Sequence, residues 1–143
     1  MVVTARYMAA AQPQPALVSP QRRARGRTNH VSGMMAEDSV ARRYEAQGMQ
    51  VLARRWRGRS GEIDLVCRDG GCLVFVEVKK AASHADAALR LGAAQQRRIC
   101  TAALEFCASR GLSTLTEMRF DAALVDGIGR VEIIENAFGD CLV

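Results

Sequence analysis

Apolar and polar positions along this chain follow two different periods. Over residues 34–47, Val40, Ala41 and Tyr44 form one stripe at helical spacing and Gly48 suits the position just past a helix end, which predicts a helix. Glu37 precedes those three positions by three, four and seven residues and so falls on the same face. A carboxylate on the inward face is unusual; the alternative is a first-turn acid favoured by the helix dipole that reaches into water. Residues 49–56 and 62–68 read as strands around the turn Arg57-Gly58-Arg59-Ser60-Gly61. Asp69-Gly70-Gly71 is a hairpin signal leading into a third strand, 72–79. Its unbroken apolar run Leu73-Val74-Phe75-Val76 suits a central strand covered on both faces. A second helix is expected over 87–110, with Leu91, Gln95, Ile99, Ala102 and Phe106 on one face and Gly111 ending it. A last hairpin joins 118–125 to 131–134 across Asp126-Gly127-Ile128-Gly129. The order predicts an α+β or mixed-sheet arrangement.

Composition refines this picture. The chain has 143 residues, 49% hydrophobic and 24% charged, which suits one globular core that needs no staple. Aromatics are only 5%, so aliphatic side chains must supply most of that core. No apolar run approaches the roughly 18 residues of a membrane span. The net charge of +5 is unevenly placed. Residues 1–36 hold five arginines (Arg6, Arg22, Arg23, Arg25 and Arg27) and no acid, whereas the remainder carries 15 bases and 15 acids. The basic excess thus belongs to an N-terminal segment. Residues 1–32 hold all three prolines and no period, and are expected to be a disordered basic tail preceding a domain over 33–143. An acid-free, Arg- and Ala-rich start also faintly resembles an organellar transit peptide. The five cysteines (67, 72, 100, 107 and 141) lack metal-ligand spacing and are expected to be reduced, in a cytoplasmic protein.

The chemistry concentrates in Gly61-Glu62-Ile63-Asp64-Leu65 and Val76-Glu77-Val78-Lys79. Strand alternation puts Glu62 with Asp64 on one face, and Glu77 with Lys79 on one face of the next strand. With a two- or four-residue loop, Asp64 lies opposite Glu77 and Glu62 opposite Lys79; a three-residue bulged loop would break that alignment. Opposed carboxylates repel, and a divalent cation between them removes the repulsion. Hard oxygen ligands suit Mg²⁺ or Mn²⁺, which keeps waters and accepts phosphate oxygens. A neighbouring ammonium stabilises charge developing on phosphate. Two cross-strand ion pairs on a solvated face are the plain structural alternative.

These motifs, followed by a helix and then Arg119-Phe120-Asp121, resemble the YraN family of small bacterial proteins. That family is similar to Holliday junction resolvase-like members of the PD-(D/E)XK nuclease superfamily. The likeness spans about residues 33–139, including Ala36-Glu37 and Asn136-Ala137-Phe138. It implies an α/β fold with a restriction-endonuclease-like mixed β-sheet flanked by helices. It further implies Asp64 and Glu77 as metal ligands, Lys79 as the catalytic lysine, and Glu37 as an acidic helix residue joining the site. Gln95 is a candidate for a supporting role behind the ligands, and Glu62 belongs to the family signature without an assigned role. One departure stands out: the family often has Arg two residues after the lysine, where this chain has Ala81, with Lys80 before it.

Arg54, Arg55, Arg57 and Arg59 surround Trp56, and with Lys80 they are candidate nucleic-acid contacts. An Arg-rich surface with Trp56 in the core is the competing reading. Arg119 and Asp121 share a strand face and are expected to form a structural ion pair. The expected function is Mg²⁺- (or Mn²⁺-) dependent hydrolysis of phosphodiester bonds in DNA, on branched or repair intermediates. The alternative is a non-catalytic module of the same fold that binds nucleic acid or a repair partner. Symmetric resolution of a junction needs two sites, so a homodimer is the dependent expectation, and no membrane contact is expected.

Overall fold

The apolar stripe of the first helix and the alternating strands close on one another as their spacing predicts. The computed structural model describes residues 20–113 and 115–138, with side chains from residue 33 onward. Helix α1 spans Pro20–Ala46, β1 Gln50–Arg57, β2 Glu62–Asp69, β3 Cys72–Lys80, α2 His84–Leu89, α3 Ala93–Ser109, β4 Glu117–Val125 and β5 Val131–Ile134. Helix α1 starts well before residue 34. Proline is well placed in a first helical turn and the following Arg and Ala are good helix formers, although the apolar stripe begins only at Ala36. Of the tail expected over 1–32, residues 1–19 lie outside the described residues.

The five strands lie in the order β1-β2-β3-β4-β5, antiparallel except for the parallel β3–β4 pair, which α2 and α3 connect. Parallel neighbours need such a crossover. The result is an α/β fold with a mixed sheet flanked by helices. The single helix expected over 87–110 is two. Ser83 caps α2 by accepting the Asp86 amide at 3.1 Å, and the break falls at Arg90-Leu91-Gly92. Glycine inside a helix costs about 1 kcal/mol, and here Gly92 instead takes an extended conformation as the N-cap of α3.

The sheet carries a core on each face. On one, Val40, Ala41 and Tyr44 of α1 pack on Leu65, Cys67, Val74, Val76, Ala123 and Val125. On the other, Ile99, Ala102, Ala103 and Phe106 of α3 pack on Val66, Leu73, Phe75 and Phe120. Phe75 sits edge-on to Phe106 and stacked on Phe120, at 5.8 and 5.5 Å between centroids. Fully burying such a side chain contributes about 1.5–3 kcal/mol. Trp56 is half-buried and packs against this cluster, edge-on to Phe106 at 5.4 Å, while its outer side lines a groove with Gly58 and Arg59.

Arg119 and Asp121 form the expected ion pair, and it is the centre of a larger clamp. Asp121 is fully buried. It accepts from Arg119 Nε and Nη2 at 2.9 and 3.0 Å, the Tyr44 hydroxyl at 2.7 Å and the Asn136 amide at 2.9 Å. Phe138 packs on Phe120, so the Asn136-Ala137-Phe138 segment is fastened to β4. Cys67, Cys72 and Cys107 are free thiols, but Cys100 is disulfide-bonded, contrary to the expectation of five reduced cysteines. Sequence spacing carries no information on which thiols approach in space. Cys141 lies outside the described residues.

Candidate active site

Strands β2 and β3 pair from Asp69↔Cys72 to Leu65↔Val76 around the two-residue turn Gly70-Gly71, the register that aligns Asp64 with Glu77. Pairing stops there. The Val78 amide donates to Asp64 Oδ2 at 2.8 Å, so a side chain takes the place of the next ladder bond. The sheet therefore forks at Asp64, with β2 continuing along β1 and β3 along β4. The regular alternation of β2 also breaks at this residue: Ile63 packs in the α3-side core and Leu65 in the α1-side core. Arg55, between the residues that pair with Leu65 and Ile63, has a left-handed φ of +50°. For a non-glycine residue that conformation costs about 1–3 kcal/mol, and such strain clusters at functional sites.

The fork opens into a cleft of about 450 Å³ between α1 and α3. Glu37 reaches it from α1, Glu62 and Asp64 from β2, Glu77 and Lys79 from β3, and Gln95 and Arg98 from α3. Glu77 is buried, and its carboxylate accepts from Gln95 Nε2 and lies 3.4 Å from Lys79 Nζ. Burial pushes the Glu77 carboxyl well above the usual range; hydrogen bonding to Asp64 and repulsion from it add to this, and Lys79 only partly offsets it. Glu37 is pushed up to about 7, first by burial and then by Asp64, against the opposing pull of Arg55. The cleft thus sets four acids, Glu37, Glu62, Asp64 and Glu77, against four cations, Arg55, Arg57, Lys79 and Arg98, with the raised carboxyls crowded around Asp64.

Glu62 does not meet Lys79 as the register expected, because the strands have parted. It pairs instead with Arg57 at 2.9 Å and with Arg55 at 3.6 Å, and Arg55 also lies 3.7 Å from Glu37. The candidate nucleic-acid contacts disperse. Arg55 and Arg57 line the cleft. Arg54 lies on its flank, paired with Asp38 at 2.6 Å. Arg59 lines a separate groove beside Glu105, and Lys80 lines another between α1 and the β4–β5 turn. Sequence reasoning passed over Arg98, although it follows Gln95 by three residues, a spacing that places both on neighbouring positions of one helix face.

Comparison with known proteins places the chain. The family model described as "Uncharacterised protein family UPF0102" matches residues 36–125. The chain belongs to the UPF0102 family. This is the YraN family that the motif order resembles. A UPF0102 protein of Cereibacter sphaeroides (strain ATCC 17025) is 58% identical over 113 residues, covering 79% of this chain and 97% of the relative. One from Ruegeria pomeroyi is 56% identical over 115 residues, 80% of this chain and 94% of the relative. One from Dinoroseobacter shibae is 50% identical over 116 residues, 80% of this chain and 86% of the relative. The UPF0102 match includes every cleft residue named above, from Glu37 to Arg98. Among the described residues, no helix is long and apolar enough to cross a membrane.

Proposed function

We propose that this UPF0102 protein is a divalent-metal-dependent nuclease that hydrolyses phosphodiester bonds in DNA, with branched or repair intermediates as the substrate class. The observation that carries this reading is the convergence of Asp64, Glu77 and Lys79 where the sheet forks, at the floor of an open cleft. The donor set fits Mg²⁺ or Mn²⁺. Asp64 and Glu77 are hard oxygen ligands held close enough to raise the Glu77 pKa, and a cation between them relieves that cost. Among the described residues, no group of three or more His, Cys, Asp or Glu is placed to hold a metal ion, so the protein would offer the cation only this pair of carboxylates. An open two-carboxylate site suits a cation that keeps waters and takes phosphate oxygens. Such a metal supplies Lewis-acid stabilisation and lowers the pKa of water.

The protein's own groups have separable parts in this reading. Lys79 places an ammonium beside Glu77 to stabilise charge building on the phosphate. Gln95 orients the Glu77 carboxylate. The Val78 amide fixes Asp64 and leaves its other oxygen for the metal. Glu37, with a pKa near neutrality, can hold or release a proton at the edge of the cleft. Cutting both strands of a symmetric junction would require two copies of the chain.

Four-way, flap, single-stranded and linear duplex DNA, incubated with Mg²⁺, Mn²⁺ or EDTA, test the reading. Metal-dependent cutting that Lys79→Ala abolishes is expected. Binding of these DNAs without any cutting would instead favour a non-catalytic module, and light scattering with and without junction DNA tests for the dimer.

A further inference from the structure

Four cations line the cleft: Arg55, Arg57, Lys79 and Arg98. Three are engaged by acids of the cleft itself, Arg55 by Glu37 and Glu62, Arg57 by Glu62, and Lys79 by Glu77. Among the described residues, the Arg98 side chain makes no hydrogen bond or ion pair, and its five donors remain available. Its placement is nevertheless defined. The next residue, Ile99, is buried in the α3-side core, and Gln95 one turn earlier is bonded to Glu77, so α3 is anchored on both sides of Arg98. The side-chain stem lies over Gly61. A Cβ there would stand 3.3 Å from Arg98 Cγ and Cδ, and the Gly61 φ of +149° also favours glycine. The glycine of the Gly-Glu-Ile-Asp motif thus gives the Arg98 stem its seat.

We propose that Arg98 is the phosphate-contacting residue of this cleft, gripping the DNA backbone beside Asp64 and Glu77. The inference rests on the cleft being a nucleic-acid site. A phosphodiester approaching four carboxylates is repelled unless a cation meets it. Arg55 and Arg57 neutralise Glu37 and Glu62, which leaves the free guanidinium of Arg98 to pair bidentately with phosphate. The position two residues after Lys79 cannot take this part. Ala81 is buried against Ala87, Ala122 and Leu124, and its amide donates to Val125 O at 3.1 Å. Lys80 lines the groove beside the β4–β5 turn.

Binding of labelled duplex and four-way DNA in EDTA, followed by anisotropy across a salt series, separates this contact from general charge. Arg97→Gln is the control, because Arg97 is exposed, adjacent and outside the cleft. Arg98→Gln is expected to weaken binding about tenfold or more and to make the salt slope shallower by about one ion. Arg98→Lys should fall between it and the wild type, and Arg97→Gln should bind within about threefold of wild type. Equal losses in Arg97→Gln and Arg98→Gln would overturn the proposal. Cleavage measured separately with Mg²⁺ distinguishes the two readings. Wild-type cutting with normal binding and cutting by Arg98→Gln refutes only the Arg98 contact. Selective loss of binding in Arg98→Gln, with no cutting by any variant, supports the contact and refutes the nuclease.

Discussion

Asp64 Oδ2 accepts the Val78 amide at 2.8 Å at the point where β2 and β3 cease to pair. One bond therefore ends the ladder, fixes an acid at the fork and ties it to the amide between Glu77 and Lys79. Replacing Asp64 by Asn keeps a carbonyl oxygen for that bond while removing the charge. Asp64→Asn should accordingly fold as well as the wild type, by circular dichroism and urea titration, while losing metal-dependent stabilisation. Unfolding of the variant would mean that Asp64 is chiefly a structural bridge.

The buried Glu77 carboxyl gives stability a definite pH dependence. Its folded pKa lies above the ordinary 4.5, so its contribution is fully present below that value, where both folded and unfolded forms are protonated. As pH rises above 4.5 and through neutrality, the unfolded chain ionises more readily and that contribution is lost. In EDTA, Glu77→Gln should therefore raise the melting temperature at pH 8 by roughly 3–5 °C and change it little at pH 4. A lower melting temperature of the variant at both pH values would contradict the assignment.

Metal binding should run against that trend. Ligation requires deprotonated carboxylates, so Mn²⁺ stabilisation should grow from pH 6 to pH 8. At a concentration about 100 times the dissociation constant, about 2.7 kcal/mol of stabilisation is expected. Thermal melts with and without Mn²⁺ measure it, and Asp64→Asn and Glu77→Gln should show little of it.

The Asp121 clamp is a structural device and should behave as one. Tyr44→Phe removes a bond from a buried hydroxyl to a carboxylate and should cost about 1.5–3 kcal/mol in urea denaturation. Asp121→Asn leaves Arg119 without its bidentate partner and should cost about 3 kcal/mol or more. DNA binding by the folded fraction should be unchanged in both variants.

Gly58 tests the turn before the acidic motif. A Cβ there would lie 2.6 Å from Glu105 Oε1 and 2.7 Å from the Trp56 ring. Glu105 is held by the Ser60 amide and hydroxyl, and Trp56 is packed on Phe106, so neither can yield freely. Gly58→Ala should lower stability by about 1–3 kcal/mol, read as a shift in the urea midpoint.

Much of this molecule was legible in its sequence where local rules suffice. The Gly70-Gly71 turn and the alternation around it set the β2–β3 register, and the run from Leu73 to Val76 marks the central strand. The stripe of Val40, Ala41 and Tyr44 correctly placed Glu37 toward the sheet, where it reaches the cleft. What escaped was set by tertiary geometry. Register continues on paper past Asp64, but the strands separate there, so Glu62 turns to Arg57 and not to Lys79. The arginines around Trp56 sit close in sequence yet diverge around a twisted strand with a left-handed Arg55. Lys79 and Lys80 likewise separate, one into the cleft and the other into the groove beside the β4–β5 turn.

Asp64, Glu77 and Lys79 together make up the proposed hydrolytic site. Its most direct test is the single-turnover cleavage rate of four-way junction DNA at saturating protein with Mg²⁺ or Mn²⁺, for the wild type, Lys79→Ala and Asp64→Asn. A metal-dependent rate is expected, which either variant lowers by about a hundredfold or more at unchanged saturation of the DNA. A wild-type rate no different from EDTA, or equal rates in all three proteins, would contradict it.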